Sequence, residues 1–209
     1  KGTAFKLAAQ GKKHLITSAF EHHAILHSMA MLERIGFEVS YIKPDSEGYI
    51  HPEDVEAAIR PDTALISIMM ANNEIGTIQP IKELAAVAHA HKIWFHTDAV
   101  QAVGAIPVDV KELGVDMLSL SGHKFNAPKG IGALYIRKGI SPWNFLDGGG
   151  QESRRRAGTE NVAGIAAIGA ALGFQAMLQQ GTSIVGWAAI PVIVIPAFTF
   201  VAAKVRAEK

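Results

Sequence analysis

The chain has 209 residues, is 49% hydrophobic and carries a formal net charge of +1 with no cysteine. That composition supports one sizeable core, or most of one domain, and offers no basic surface suited to nucleic acid. Disulfides and thiolate metal sites are excluded, and cysteine usage says nothing about redox compartment. Residues 1–18 hold no apolar run of signal-peptide length, and the chain, lacking an initiator methionine, is expected to start inside a longer protein. Residues 14–19 read as a strand. Residues 22–36 follow with apolar positions at helical spacing, and Gly36 is a suitable stop. Residues 38–43 form the next strand. Residues 51–60 open a helix with Pro52, Glu53 and Asp54 in its first turn, where the helix dipole favours acids. Residues 63–70 are a continuous apolar run, the pattern of a strand covered on both faces. Residues 80–92 are helical, and 93–98, 116–121 and 132–137 complete the strands. Residues 139–158 form a long loop with a glycine run and three consecutive arginines, and a helix resumes over 159–180.

Such alternation predicts an α/β layer fold with a mainly parallel sheet, whose sites lie beyond the carboxyl ends of strands. Two segments are expected: residues 1–179, and a hydrophobic tail over 180–209. Residues 180–203 carry no charge and a basic flank follows; the length permits a membrane span, against which Pro191 and Pro196 count.

Polar clusters sit at the strand ends. His22 and His23 follow the first strand, and Asn72, Asn73 and Glu74 follow the third. Asp98 and Gln101 lie at the fourth, and Ser121, His123 and Lys124 at the fifth. In a parallel sheet these clusters converge on one edge. A lysine, a strand-end acid, an imidazole and amide donors are what pyridoxal phosphate needs. Its aldehyde condenses with an amine, its ring nitrogen needs a carboxylate to stay protonated, and its phosphate takes hydroxyls, amides and a basic group.

The stretches SAFEHHAIL, NNEIGTIQPI, HTDAVQAVGAIPVDV, SLSGHKFNAPKGIGALYIRKG and GGGQESRRRAGTENVAGI carry a family resemblance. In order and spacing they resemble the NifS/IscS-like cysteine desulfurases of the class V aminotransferase superfamily, over roughly residues 12–179. The resemblance implies the large domain of a PLP-dependent transferase, aspartate aminotransferase-like and of fold type I, here incomplete. It implies Lys124 as the lysine that binds the cofactor aldehyde, where a lone lysine would otherwise be a surface charge. Asp98 matches the partner of the ring nitrogen; its plain alternative is a helix N-cap. His22 matches the histidine that stacks on the ring and aids proton transfer, whereas His23 suits the surface. Asn73 and Gln101 match amides near the phenolic oxygen, with turn chemistry as the alternative. Asn73 also matches a substrate-carboxylate contact. Ser121 and His123 match phosphate contacts. Thr159 matches a residue reaching the phosphate of the partner subunit, which implies a homodimer, and Arg156 is expected to shape its loop.

By resemblance, L-cysteine would be converted to L-alanine. Lys124 would act as the base, aided by His22, and a loop cysteine thiolate would take the sulfur for an acceptor such as an iron–sulfur scaffold protein. This chain has no such cysteine. The family's phosphate loop before the first strand and its substrate-gripping arginine also find no match. The chain is therefore expected to be the central, cofactor-binding portion of a longer enzyme, and inactive in sulfur transfer alone. Two alternatives stand beside this: a class V aminotransferase or selenocysteine lyase-like enzyme, and a non-catalytic remnant. The expected location is cytoplasmic, or membrane-associated if residues 181–203 insert.

Overall fold

The computed structural model describes residues 1–179. The tail over 180–209, and with it the membrane alternative, lies outside the described residues. Six strands form one sheet: β1 (His14–Ser18), β2 (Glu38–Ile42), β3 (Thr63–Ser67), β4 (Trp94–Asp98), β5 (Met117–Ser121) and β6 (Gly132–Ile136). Their order is β2-β1-β3-β4-β5-β6. The first five are parallel and β6 is antiparallel to β5. The mainly parallel α/β sheet read from the alternation is thus present. Every residue of β1 and β3 is buried; the apolar run through and beyond β3 reflects this, whereas β1 buries His14, Thr17 and Ser18 as well.

Alternate residues feed two cores, one on each face. Ile16, Ile66, Phe95 and Leu118 point to one side, where they meet Val55 of α3 (Pro52–Ala57), Ile81, Leu84, Ala85 and Ala88 of α4 (Ile81–Ala90), and Ile168 of α7 (Val162–Gln179). Leu15, Leu65 and Met117 point to the other, against Ala4 and Leu7 of α1 (Gly2–Ala8) and Met29 and Leu32 of α2 (His23–Arg34). The α4 positions fall at i, i+3, i+4 and i+7, the stripe that turns one helix face to a sheet. Helix α2 ends as its sequence suggested: Gly36 takes φ +92°, a conformation that costs glycine little.

Three short elements were not expected. Helix α1 is two turns held by the burial of Thr3, Ala4 and Leu7, so packing rather than propensity sustains it. Helix α5 (Val110–Leu113) is a single turn capped by Asp109, whose side chain accepts from the Lys111 and Glu112 amides. Inside the long loop, α6 (Gln151–Arg154) is a distorted turn with Glu152 and Ser153 at positive φ. Among the described residues no helix is long and apolar enough to cross a membrane.

Gln79 staples the loop after β2 to the end of β3. Its Oε1 accepts from Ile50 N at 2.7 Å, its Nε2 donates to Gly48 O at 2.8 Å, and its own amide donates to Met70 O at 2.9 Å. Gln79→Ala strands the fully buried Ile50 amide and is expected to cost about 2 kcal/mol; urea unfolding measures it, and an unchanged midpoint would refute the stapling role.

Candidate active site

The sheet order reverses between β1 and β3: the chain goes from β1 out to β2, then returns to place β3 on the other flank. Such a reversal opens a crevice at the carboxyl ends of the two strands. Residues following β1, β3, β4 and β5 line this edge, so His22, Asn73, Asp98, Gln101, Ser121, His123 and Lys124 all stand along it.

Lys124 lies in a single 3-10 turn, Gly122–Phe125, directly after β5. Phe125 is 1% exposed and anchors the turn in the core. Gly122 is buried, and a Cβ there would come within 2.9 Å of the Ala127 side chain and 3.1 Å of Ile131, so a larger residue would push the turn off the sheet. Asn126 closes it in the left-handed region at φ +70°, and the Ala127 amide donates to Gly122 O at 3.0 Å. Between two buried anchors Lys124 is displayed outward, exposed, with no hydrogen bond or ion pair among the described residues. Its neighbours Ser121 and His123 are joined, Oγ to Nδ1 at 2.8 Å, an adjacent hydroxyl and imidazole suited to an anion.

Asp98 ends β4 and is 8% exposed. Its Oδ1 accepts from Val100 N at 2.9 Å, but no helix among the described residues starts there, so Asp98 closes a turn and is not the helix N-cap of the plain alternative. Burial raises its carboxyl above the ordinary aspartate value, opposed by the Val100 amide and the field of His22. A cation placed in the crevice would relieve that desolvated charge.

His22 is exposed and caps α2, its Nδ1 accepting from Ala24 N at 3.2 Å. With Nδ1 so engaged, the neutral tautomer carries its proton on Nε2. His23 is exposed and stacks on His27 at 5.1 Å, as a surface residue does.

The two asparagines divide their work. Asn72 is buried and shapes the turn: its Oδ1 accepts from Glu74 N and Ile75 N, and its Nδ2 donates to Phe20 O at 2.8 Å. Asn73 is exposed and its side chain makes no hydrogen bond among the described residues. Turn chemistry thus falls to Asn72 and leaves the Asn73 amide free. Gln101, partly buried, is likewise free among the described residues. Thr159 is the one candidate that the edge does not collect. It is exposed beyond the sheet, on a loop that Arg156 shapes by donating to Ala157 O and Gly158 O.

Sequence reasoning missed two features. Glu21, beside His22, is buried at the crevice floor. One layer below Asp98, on the same face of β4, His96 bridges two serines: Ser67 Oγ to Nδ1 and Nε2 to Ser119 Oγ, each at 2.8 Å. Burial pushes His96 down to about 4, so the ring is neutral and each nitrogen takes one serine. The signal was available in the two-residue spacing from Asp98, but the bridge needs strand register, which the sequence does not give. A cavity of about 430 Å³ on the α2 side includes Ser67, His96 and Ser119 but neither Lys124 nor Asp98. The chemistry therefore stands on the open strand edge.

A family model described as aminotransferase class-V matches residues 3–184. A cysteine desulfurase IscS of Dictyoglomus turgidum is 59% identical over 172 residues, which cover 82% of this chain and 43% of the relative. One of Methanosarcina thermophila is 60% identical over 171 residues, covering 82% of this chain and 42% of that protein. A solved structure described as SspA in complex with cysteine superposes with a TM-score of 0.79 at 47% identity, covering 83% of this chain and 50% of the other. The chain spans about two fifths of the length of these curated relatives.

Proposed function

The chain belongs to the aminotransferase class-V family, and from that premise we propose that it carries the cofactor-binding edge of a pyridoxal phosphate-dependent cysteine desulfurase. The observation that carries this is an outward Lys124 amine, without a partner among the described residues, and a buried Asp98 carboxyl along one strand edge. The donor set matches the cofactor's chemistry: an amine for its aldehyde, an acid for its ring nitrogen, and the Ser121–His123 pair for its phosphate.

When bound, pyridoxal phosphate supplies an electrophilic aldehyde and a protonated ring able to accept the electron pair released at a substrate α-carbon. Asp98 would hold the ring-nitrogen proton, the more firmly because its own charge lacks hydration. Lys124 Nζ would be the group that takes the α-proton, and His22 Nε2 would be the second group able to hold a proton there. Asn73 and Gln101, with free amides, would orient the phenolic oxygen, and Asn73 the substrate carboxylate. L-cysteine is the proposed substrate and L-alanine the product. The sulfur would go to an acceptor such as an iron–sulfur scaffold protein. With no cysteine in these 209 residues, sulfur transfer requires a thiolate supplied from outside them. Thr159, outside the edge of its own chain, would serve the site of a second copy in a homodimer. The proposed location is cytoplasmic. The lack of cysteine also favours a second possibility, an aminotransferase or lyase of the same family that needs no thiolate.

The test needs neither thiolate nor acceptor. The chain loaded with pyridoxal phosphate is given L-cysteine or L-alanine in heavy water, and deuterium entering the α-position is followed by NMR. Exchange is expected, and Asp98→Asn should slow it about a hundredfold, since the amide cannot hold the ring-nitrogen proton as a counter-ion. No exchange in the loaded wild type would sink the proposal.

A further inference from the structure

Glu21 is of a residue type rarely buried without a charged partner, yet it is 5% exposed. It stands at the reversal of sheet order, spanning the ends of β1 and β3. Its Oε1 accepts twice, from Ser18 Oγ at 2.7 Å and from Met69 N at 2.8 Å. Its Oε2 is buried with no hydrogen-bond partner among the described residues. An ionised carboxyl shares its charge between both oxygens, so a bare, dry Oε2 would carry uncompensated charge. A proton on Oε2 removes that cost. Among the described residues no cation acts on Glu21 to compensate instead. Asp98, from β4, is the charged group among the described residues whose field reaches Glu21, and it is negative; His22, the N-cap of α2, acts on Asp98. Burial first, then Asp98, pushes Glu21 up to about 8.

We propose that Glu21 works as a neutral carboxylic acid that ties the turn carrying His22 to the end of β3 and leaves Asp98 the single negative charge of the crevice. It is a positioning residue. Its role toward the cofactor rests on the function proposed above, whereas its protonation does not.

The first experiment therefore uses no cofactor. The full chain, wild type and Glu21→Gln, is unfolded in urea at a series of pH values. The folded value near 8 lies above the reference value of 4.5, so the folded state holds one more proton than the unfolded state across that window, and stability is lost as pH rises through it. The folding constant of the wild type should fall about tenfold per pH unit relative to Glu21→Gln between those values, and run parallel outside them. Equal slopes throughout would overturn the proposal. Should Glu21→Gln fail to fold, the wild type alone decides. Its infrared spectrum near pH 6.5 must show a protonated-carboxyl band that disappears above pH 8, and its absence overturns the proposal. In the second experiment pyridoxal phosphate is titrated at pH 7. Glu21→Ala should weaken binding at least tenfold and the isosteric glutamine should restore it. Equal losses in both variants, or none in Glu21→Ala, would refute positioning by a neutral group. If the wild type itself binds no pyridoxal phosphate, the proposed function fails while the urea series still decides the state of Glu21.

Discussion

Lys124→Ala is expected to abolish covalent capture of pyridoxal phosphate while leaving the fold intact. In the wild type, borohydride should fix the cofactor to one peptide, that of Lys124, because this is the amine held outward from the end of β5 between buried Gly122 and Phe125. The substitution removes no hydrogen bond or ion pair among the described residues, so the urea midpoint should move by no more than about 0.5 kcal/mol. Ring and phosphate contacts would persist, so weaker, non-covalent binding should remain. Lys124→Arg makes a sharper control: it keeps the charge, yet a guanidinium does not condense with the aldehyde under these conditions. Peptide mapping after reduction measures the outcome. The exposed Lys129, further along the same turn, is the natural competitor. Undiminished labelling there in the Lys124→Ala variant would mean that reactivity belongs to the exposed turn and not to one lysine.

The largest loss of stability is expected at the opposite edge of the sheet. Asp116 is fully buried just before β5. Its Oδ2 accepts from Phe95 N at 2.7 Å and faces His89 Nε2 at 3.1 Å, while the Arg137 guanidinium lies 2.5 Å from Oδ1. That last contact is close but not aligned as a hydrogen bond, so it counts as an ionic contact with a side chain about half in water. The backbone completes the junction, Asp116 N donating to Phe95 O and Arg137 N to Asp116 O. One carboxylate thus joins β4, β5, the end of β6 and the last turn of α4. Asp116→Ala leaves the Phe95 amide buried without an acceptor and is expected to cost about 3 kcal/mol. Asp116→Asn, which keeps an acceptor, should cost less. Lys124 labelling per folded molecule should be unchanged in both, since the junction is a strand length from the turn. An Asp116→Ala chain as resistant to urea as wild type would show that Arg137 and His89 are as well satisfied by water.

The strands were legible because buried parallel strands write themselves as apolar runs, residues 63–70 most plainly, and α4 because its stripe keeps helical period. Helix α1 was not, since two turns that owe their existence to packing leave little local signal. Among candidate site residues, Lys124 and Asp98 were singled out because their chemistry and their strand-end positions agreed. Glu21 was passed over because a glutamate next to a histidine reads as a solvated charge, and only the three-dimensional crevice shows that water does not reach it. The Ser67–His96–Ser119 bridge depends on which residues of three strands stand abreast, and composition is silent on that. Asn72 and Asn73 were indistinguishable as types; which one the turn consumes was decided by backbone direction.

The antiparallel pairing of β5 with β6 gives the chain an uneven folding route. A hairpin closes over a short loop and forms from contacts of low sequence separation, whereas each parallel pair must first bring together ends separated by a crossover. The turn bearing Lys124 belongs to that hairpin. Glu21 and Asp98, by contrast, meet only when β1, β3 and β4 have assembled through crossovers over α2, α3 and α4. The strands flanking the Lys124 turn can therefore pair early, but the turn itself is set only when Phe125 enters the core that β1, β3 and β4 complete, so lysine and acids take their places in the same late step.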